Sequence, residues 1–283
     1  LQTTSLLIYA LLILFFCYFF QRLPANVRNL IGNYWYIFFV FLVITLLLLF
    51  FYPIADGLKL QNRGSDQDDC VIIGARGILD FQNPYSQRSY FGNPCSSGMG
   101  VLFLYVPFVF LNVYHLGAIA FTALSTYIVK WYSDSVYCSA CFVTLLFGGL
   151  FQLEMLFIGT DLYLIGCLLM VSSLVLTRAV LTKSMILVFY AALLVGLLAS
   201  SRINFLILVP ITSLFIYFHW RNAALLFCLI SLCIATVPSI YVFSLSPVDF
   251  TPFHLLVKAN VLLGNGLKEL FLATFAVTFF FGV

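Results

Sequence analysis

The sequence predicts an all-α polytopic membrane protein. Three observations carry that expectation: an extreme apolar composition, apolar runs of bilayer length, and basic residues that sort to one side. Of 283 residues, 63% are hydrophobic and 8% charged, with 32 Phe, 16 Tyr and a mean hydropathy of +1.10. Soluble cores are not built with so little polar surface. The runs are continuous and about 15 to 22 residues long, enough for helices across a core of ~30 Å; β-barrel strands would alternate over roughly 10-residue segments instead. In chain order they fall at residues 5–20, 33–54, 101–129, 136–153, 160–177, 184–200, 203–218, 223–244 and from 267 onward. That gives about nine spans in a single transmembrane domain over residues 1–283.

The run 101–129 exceeds one straight helix. Its middle, Asn112-Val-Tyr-His-Leu-Gly117, reads as a break, so the run crosses once with a kink or twice as a hairpin. Crossing once places Arg22, Arg28, Lys130, Arg178, Lys183 and Arg221 on one face, which is then cytoplasmic because Lys and Arg gather in retained loops. The outer face collects the 55–100 loop, the turn from Glu154 to Asp161, Ser200–Asn204 and the 245–266 segment. The chain begins at Leu1 and stops inside an apolar run, so a further C-terminal part is expected. No basic run suits a nucleic acid, at a net charge of +3.

Six of the eight cysteines lie in apolar runs, where Cys packs as a small hydrophobe. Cys138-Ser-Ala-Cys141 has metal-like spacing without a nearby His or Cys partner. Cys70 and Cys95 share the one long polar segment and can pair if that segment is extracytoplasmic.

That segment opens on Gly64-Ser-Asp-Gln-Asp-Asp-Cys70, three carboxylates in four residues. Residues 66–81 read as an amphipathic helix with an Asp cap at its start, apolar positions at 71, 72, 75, 78 and 79, and a stop at Asn83-Pro84. Too short and charged to span, it is expected to lie on the membrane surface with its apolar face down. Asp66 and Asp69, at i and i+3, share a face, and Arg76 follows about 10 Å further along. The acids can simply offset the helix dipole; they can also hold a divalent ion such as Mg2+ or Mn2+, with Asp66 and Asp68 as ligands.

Next come Asn83-Pro-Tyr-Ser-Gln-Arg-Ser-Tyr-Phe-Gly-Asn-Pro-Cys95 and an apolar span through Pro107-Phe108. The order of acidic cluster, short helix, Asn-Pro-Tyr, Ser-Tyr-x-Gly-Asn-Pro and Pro-Phe span resembles the first extracytoplasmic loop of C-type (GT-C) membrane glycosyltransferases. Phe157-Ile-Gly-Thr-Asp-Leu162, Ala199-Ser-Ser-Arg-Ile-Asn-Phe205 and Phe250-Thr-Pro-Phe-His-Leu-Leu-Val-Lys258 are similar to later elements of that family. Cys95-Ser-Ser-Gly-Met departs from it, where a more proline-rich stretch is expected.

The resemblance implies an inverting, mannosyltransferase-like enzyme of a GT-C helical bundle. A sugar passes from a polyprenyl-phosphate donor to a hydroxyl of a glycan or glycolipid acceptor, at the outer face of a bacterial inner membrane. Such transfer needs a carboxylate base for the acceptor proton and fixed cations at the leaving phosphate. Asp69 is the first choice of base and Asp66 the second. Arg202 is the choice for the phosphate, with Lys258 and His254, at i and i+4, beside it. Asp161, Arg76, Tyr85 and Asn93 complete the expected substrate contacts, and Tyr90 offers a further ring. Each also has a plain reading: Arg202 as an interfacial loop charge, Lys258 as a snorkelling side chain, His254 as structural, the tyrosines as interface anchors. The alternative class is a transporter or flippase of a lipid-linked or anionic solute, which calls for internal repeats and charges at span centres; neither is seen.

Overall fold

The computed structural model describes residues 15, 18–20, 22–247 and 249–251. Among these there is no strand; one isolated bridge joins Arg88 and Pro94. Helices make up most of the described residues, with the 80–98 loop the longest non-helical stretch. Two compact units arise, the first from described residues up to Ser65 with His115–Leu174, the second from Asp66–Tyr114 with the described residues from Val175 on.

The first unit begins with α1 (Ala25–Ile31) and α2 (Tyr34–Gly57). Asn33 caps α2 by accepting from the Trp35 N–H at 3.1 Å, and a 3-10 turn (Leu58–Gln61) with Asn62 at φ 56° ends it. Next come most of α5 (Tyr114–Ser133), then α6 (Val136–Gly148), α7 (Leu150–Phe157) and the first part of α8 (Asp161–Thr182). Ile44 and Leu48 of α2 pack with Val143, Phe147 and Leu156. The buried hydroxyls of Thr122 and Tyr163 satisfy each other at 2.9 Å, as polar groups away from water must.

The second unit contains α3 (Gln67–Leu79), α4 (Met99–Phe110), α9 (Met185–Ser201), a 3-10 turn (Ile203–Ile207), α10 (Leu208–His219) and α11 (Arg221–Leu245). Small residues let α9 and α11 approach closely. A Cβ on Gly196 would stand 2.8 Å from Ile234 Cβ, and the buried Ser231 hydroxyl donates to the Ala192 carbonyl at 3.1 Å.

Among the described residues, three helical stretches are long and apolar enough to cross a membrane: Tyr34–Gln61, Asp161–Thr182 and Arg221–Leu245. The count among them rises to five if each broken pair forms one span. The run 101–129 breaks as expected, at Asn112 with φ 57°, between α4 and α5. The run 136–153 also breaks, at Gly148-Gly149, with a bend of 74° between α6 and α7. The runs 184–200 and 203–218 form helices of 17 and 12 residues. The first and last runs lie mostly or wholly outside the described residues.

Part of the apolar face expected to rest on the membrane surface meets protein. Val71, Gly74 and Ala75 of α3 are buried by protein, with Gly74 so close to α4 that a Cβ would stand 2.8 Å from Leu102 Cδ2. Ile72, Ile78 and Leu79 of the same helix remain partly exposed, so protein covers that face only in part.

Candidate functional site

The site is built from the start of α3, the 80–98 loop and the end of α9, all in the second unit. Asp66 holds the N-cap position of α3 but makes no cap bond, contrary to the expectation from the sequence. Its Oδ2 instead accepts from Ser89 Oγ at 2.5 Å and Asn93 Nδ2 at 3.0 Å. The reason lies in the loop. Gly92, at φ 77°, closes a tight turn in which its N–H donates to the Ser89 carbonyl at 2.9 Å, and the Ser89 N–H donates to the Asn93 carbonyl at 3.1 Å. This turn points a hydroxyl and a carboxamide at one carboxylate oxygen and draws it off the helix end.

Partial burial by itself would raise the Asp66 pKa. The hydrogen bonds from Ser89 and Asn93, with the Phe91 backbone N–H, outweigh it and hold the carboxyl below its ordinary 3.8. Asp69 Oδ2 accepts from the Tyr90 N–H at 3.3 Å, tying the second acid to the same turn. Asp68 is only 1% exposed, and its carboxylate lies within 4.8 Å of that of Asp69. A divalent ion bound through Asp66 would have to displace donors already aimed at Oδ2.

Asn83-Pro84 forms an Asx turn, its Oδ1 accepting from the Tyr85 N–H at 3.0 Å. Tyr85 is 4% exposed, donates its hydroxyl to the Ser97 carbonyl at 3.1 Å and meets Phe250 edge-on. Burial raises its phenol pKa. Packed like this, Tyr85 fastens the loop and presents no ring face to a sugar.

Cys95 is bridged to Cys70, which joins the loop to the first turn of α3. Beyond the bridge, Ser96 Oγ accepts from Arg202 Nη1 at 3.1 Å, and the Gly98 N–H donates to the Ser201 carbonyl at 2.8 Å. Only glycine permits this approach. A Cβ on Gly98 would stand 1.9 Å from the Ser200 carbonyl oxygen, and one on Gly100 2.1 Å from that of Leu197. The Cys95-Ser-Ser-Gly-Met stretch, found where a more proline-rich one was expected, thus joins α4 to the end of α9 together with Gly100. Arg202, extended at φ −151°, leaves that end toward the loop.

Between these parts lies a cavity of about 150 Å3, with Asp66, Cys70, Asn93, Ser96, Ser97 and Arg202 in its lining. Three residues expected from the sequence, Asp66, Asn93 and Arg202, therefore meet at one cavity. Asp69, Arg76 and Tyr85 are not in its lining. Arg76 is exposed on α3. Asp161, 1% exposed, opens α8 in the other unit. His254 and Lys258 lie outside the described residues. Ser89, Ser96 and Gly98 were missed by sequence reasoning; their signal was a polar, glycine-bearing stretch directly before an apolar run.

The apolar helices define the class as a helical integral membrane protein. Compared with protein-family models, curated proteins and solved structures, the chain matches none.

Proposed function

We propose that this protein is a GT-C-type glycosyltransferase that moves a sugar, with inversion, from a polyprenyl-phosphate donor to a hydroxyl of a glycan or glycolipid acceptor. The reaction is assigned to the outer face of a bacterial inner membrane. One observation carries the reading: an ionised carboxylate and a guanidinium line the same small polar cavity, beside the loop that bears the Asn-Pro-Tyr and Gly-Asn-Pro motifs.

Each group has a task there. The acceptor oxygen attacks the sugar C1, its proton passes to a carboxylate, and the bond from C1 to the phosphate oxygen breaks. Asp66 is the first candidate for base because it lines the cavity; Asp69, held by the Tyr90 N–H, is the second. Hydrogen bonds that keep Asp66 ionised also make it a weaker base, so the acceptor proton transfers late, as the leaving phosphate gains charge. Arg202 stabilises that phosphate, and Ser96 fixes its guanidinium. Lys258 and His254 are proposed as further phosphate contacts.

The test is native mass spectrometry of the purified protein, wild type beside Arg202→Ala, followed by a transfer assay with radiolabelled polyprenyl-phosphate sugars in membranes. A polyprenyl phosphate or its sugar adduct on wild type, diminished on the variant, supports the donor site. A different solute held by both proteins, with no transfer, moves the reading to transport.

A further inference from the structure

We propose that the Cys70–Cys95 disulfide is a thiol-sensitive clasp that holds the acid side and the cation side of this cavity together. The two sides hang on different partners. Asp66 belongs to the start of α3, four residues before Cys70. The opposite wall is fastened to the end of α9, where Ser96 accepts from Arg202 and the Gly98 N–H donates to Ser201. Thr251 adds a hydrogen bond to the Cys95 carbonyl. Among the described residues the disulfide is the one covalent cross-link between these sides. Beside it, the loop holds the start of α3 by hydrogen bonds, to Asp66 from Ser89, Asn93 and the Phe91 N–H and to Asp69 from the Tyr90 N–H.

The two sulfurs differ in access. Cys70 is partly exposed and lines the cavity, whereas Cys95 is 1% exposed. A small thiolate entering the cavity therefore attacks Cys70 Sγ. A new S–S bond joins it to Cys70, the Cys70–Cys95 bond breaks, and Cys95 leaves as a thiolate that takes up a proton. A second thiolate attacks the incoming thiol's sulfur, releases Cys70 to be protonated in turn, and departs as the low-molecular-weight disulfide. Two electrons pass from the thiols to the protein. The wall at residues 93–97 then separates from the first turn of α3. Packing elsewhere does not depend on the bond, because α3 remains on α4 through Gly74 and α4 on α9 through Gly98 and Gly100. The clasp thus controls the shape of the cavity without holding up the fold, and its bearing on sugar transfer rests on the glycosyltransferase reading.

The test is hydrogen exchange by mass spectrometry on the full chain in nanodiscs, oxidised and after dithiothreitol, with Cys70→Ser alongside, paired with binding of decaprenyl phosphate. Opening is expected to speed exchange across residues 86–98 by about tenfold, to leave residues 188–199 of α9 unchanged, and to weaken decaprenyl phosphate binding by a similar factor. Unchanged exchange at 86–98 after verified reduction overturns the proposal. A rise spread through α9 and α11 also overturns it, since the bond would then support the whole unit. Decaprenyl phosphate bound by neither form would count against the glycosyltransferase reading, while the exchange data still judge the clasp.

Discussion

A carboxylate whose oxygen is held by a hydroxyl and a carboxamide loses its proton more readily than one in water, and Asp66 is such a group. Because its folded pKa is depressed, the stabilisation is complete above the unfolded value near 3.8 and is lost as pH falls through that value toward the folded one. Ser89→Ala removes one of the donors. Its melting temperature should fall below wild type at pH 7, and the gap should narrow in acid. A constant gap would mean that the serine does not favour the ionised form. For catalysis, Asp66→Asn is expected to cut transfer by about 10²- to 10⁴-fold, the usual worth of a positioned base, with membrane insertion intact. A greater loss in Asp69→Asn than in Asp66→Asn would reverse the assignment between them. Arg202→Ala is expected to weaken donor binding by roughly 1.5 to 3 kcal/mol, the range for hydrogen bonds to a charged group. Donor titrations with unchanged affinity would place the phosphate elsewhere.

The decisive contacts between elements are backbone to backbone. At Gly98 an added methyl would meet a carbonyl at the end of α9, which cannot turn aside, whereas at Gly74 it would meet the flexible tip of Leu102. Gly98→Ala should therefore cost more stability than Gly74→Ala, by about 1 to 3 kcal/mol, the usual range for overpacking. Thermal denaturation in detergent measures both, and equal losses would show that α4 does not bear on α9 so tightly. Helix breaks differ in how far the sequence reveals them. The break at Asn112 was readable, because Asn tolerates the left-handed backbone found there at φ 57°. The one at Gly148-Gly149 was not, because glycine pairs also occur inside membrane helices where neighbours press close.

For the molecule as a whole, the disulfide and the basic residues bear on the same question of sidedness. Disulfides persist in oxidising compartments, and Lys and Arg collect on the cytoplasmic side. In intact cells, a membrane-impermeant maleimide should label Gln87→Cys, and should reach Lys183→Cys only after lysis; both positions are exposed. The opposite pattern would invert the topology and remove the outer-face assignment.

Composition and run length alone determined that this is an apolar helical chain for a membrane, since so few polar groups leave no other way to satisfy the backbone. The order of motifs also gave Asp66, Asn93 and Arg202 as candidates. That these three share a cavity, that Asp66 turns away from its own helix, and that Tyr85 is packed inside were decided by tertiary structure. Each depends on partners far along the chain: Ser89 for Asp66, Ser97 for Tyr85, Ser96 for Arg202. Local periodicity reports which face of a helix is apolar. It does not say which neighbour will cover that face, and so the packing of α3 against α4 at Gly74 was not readable.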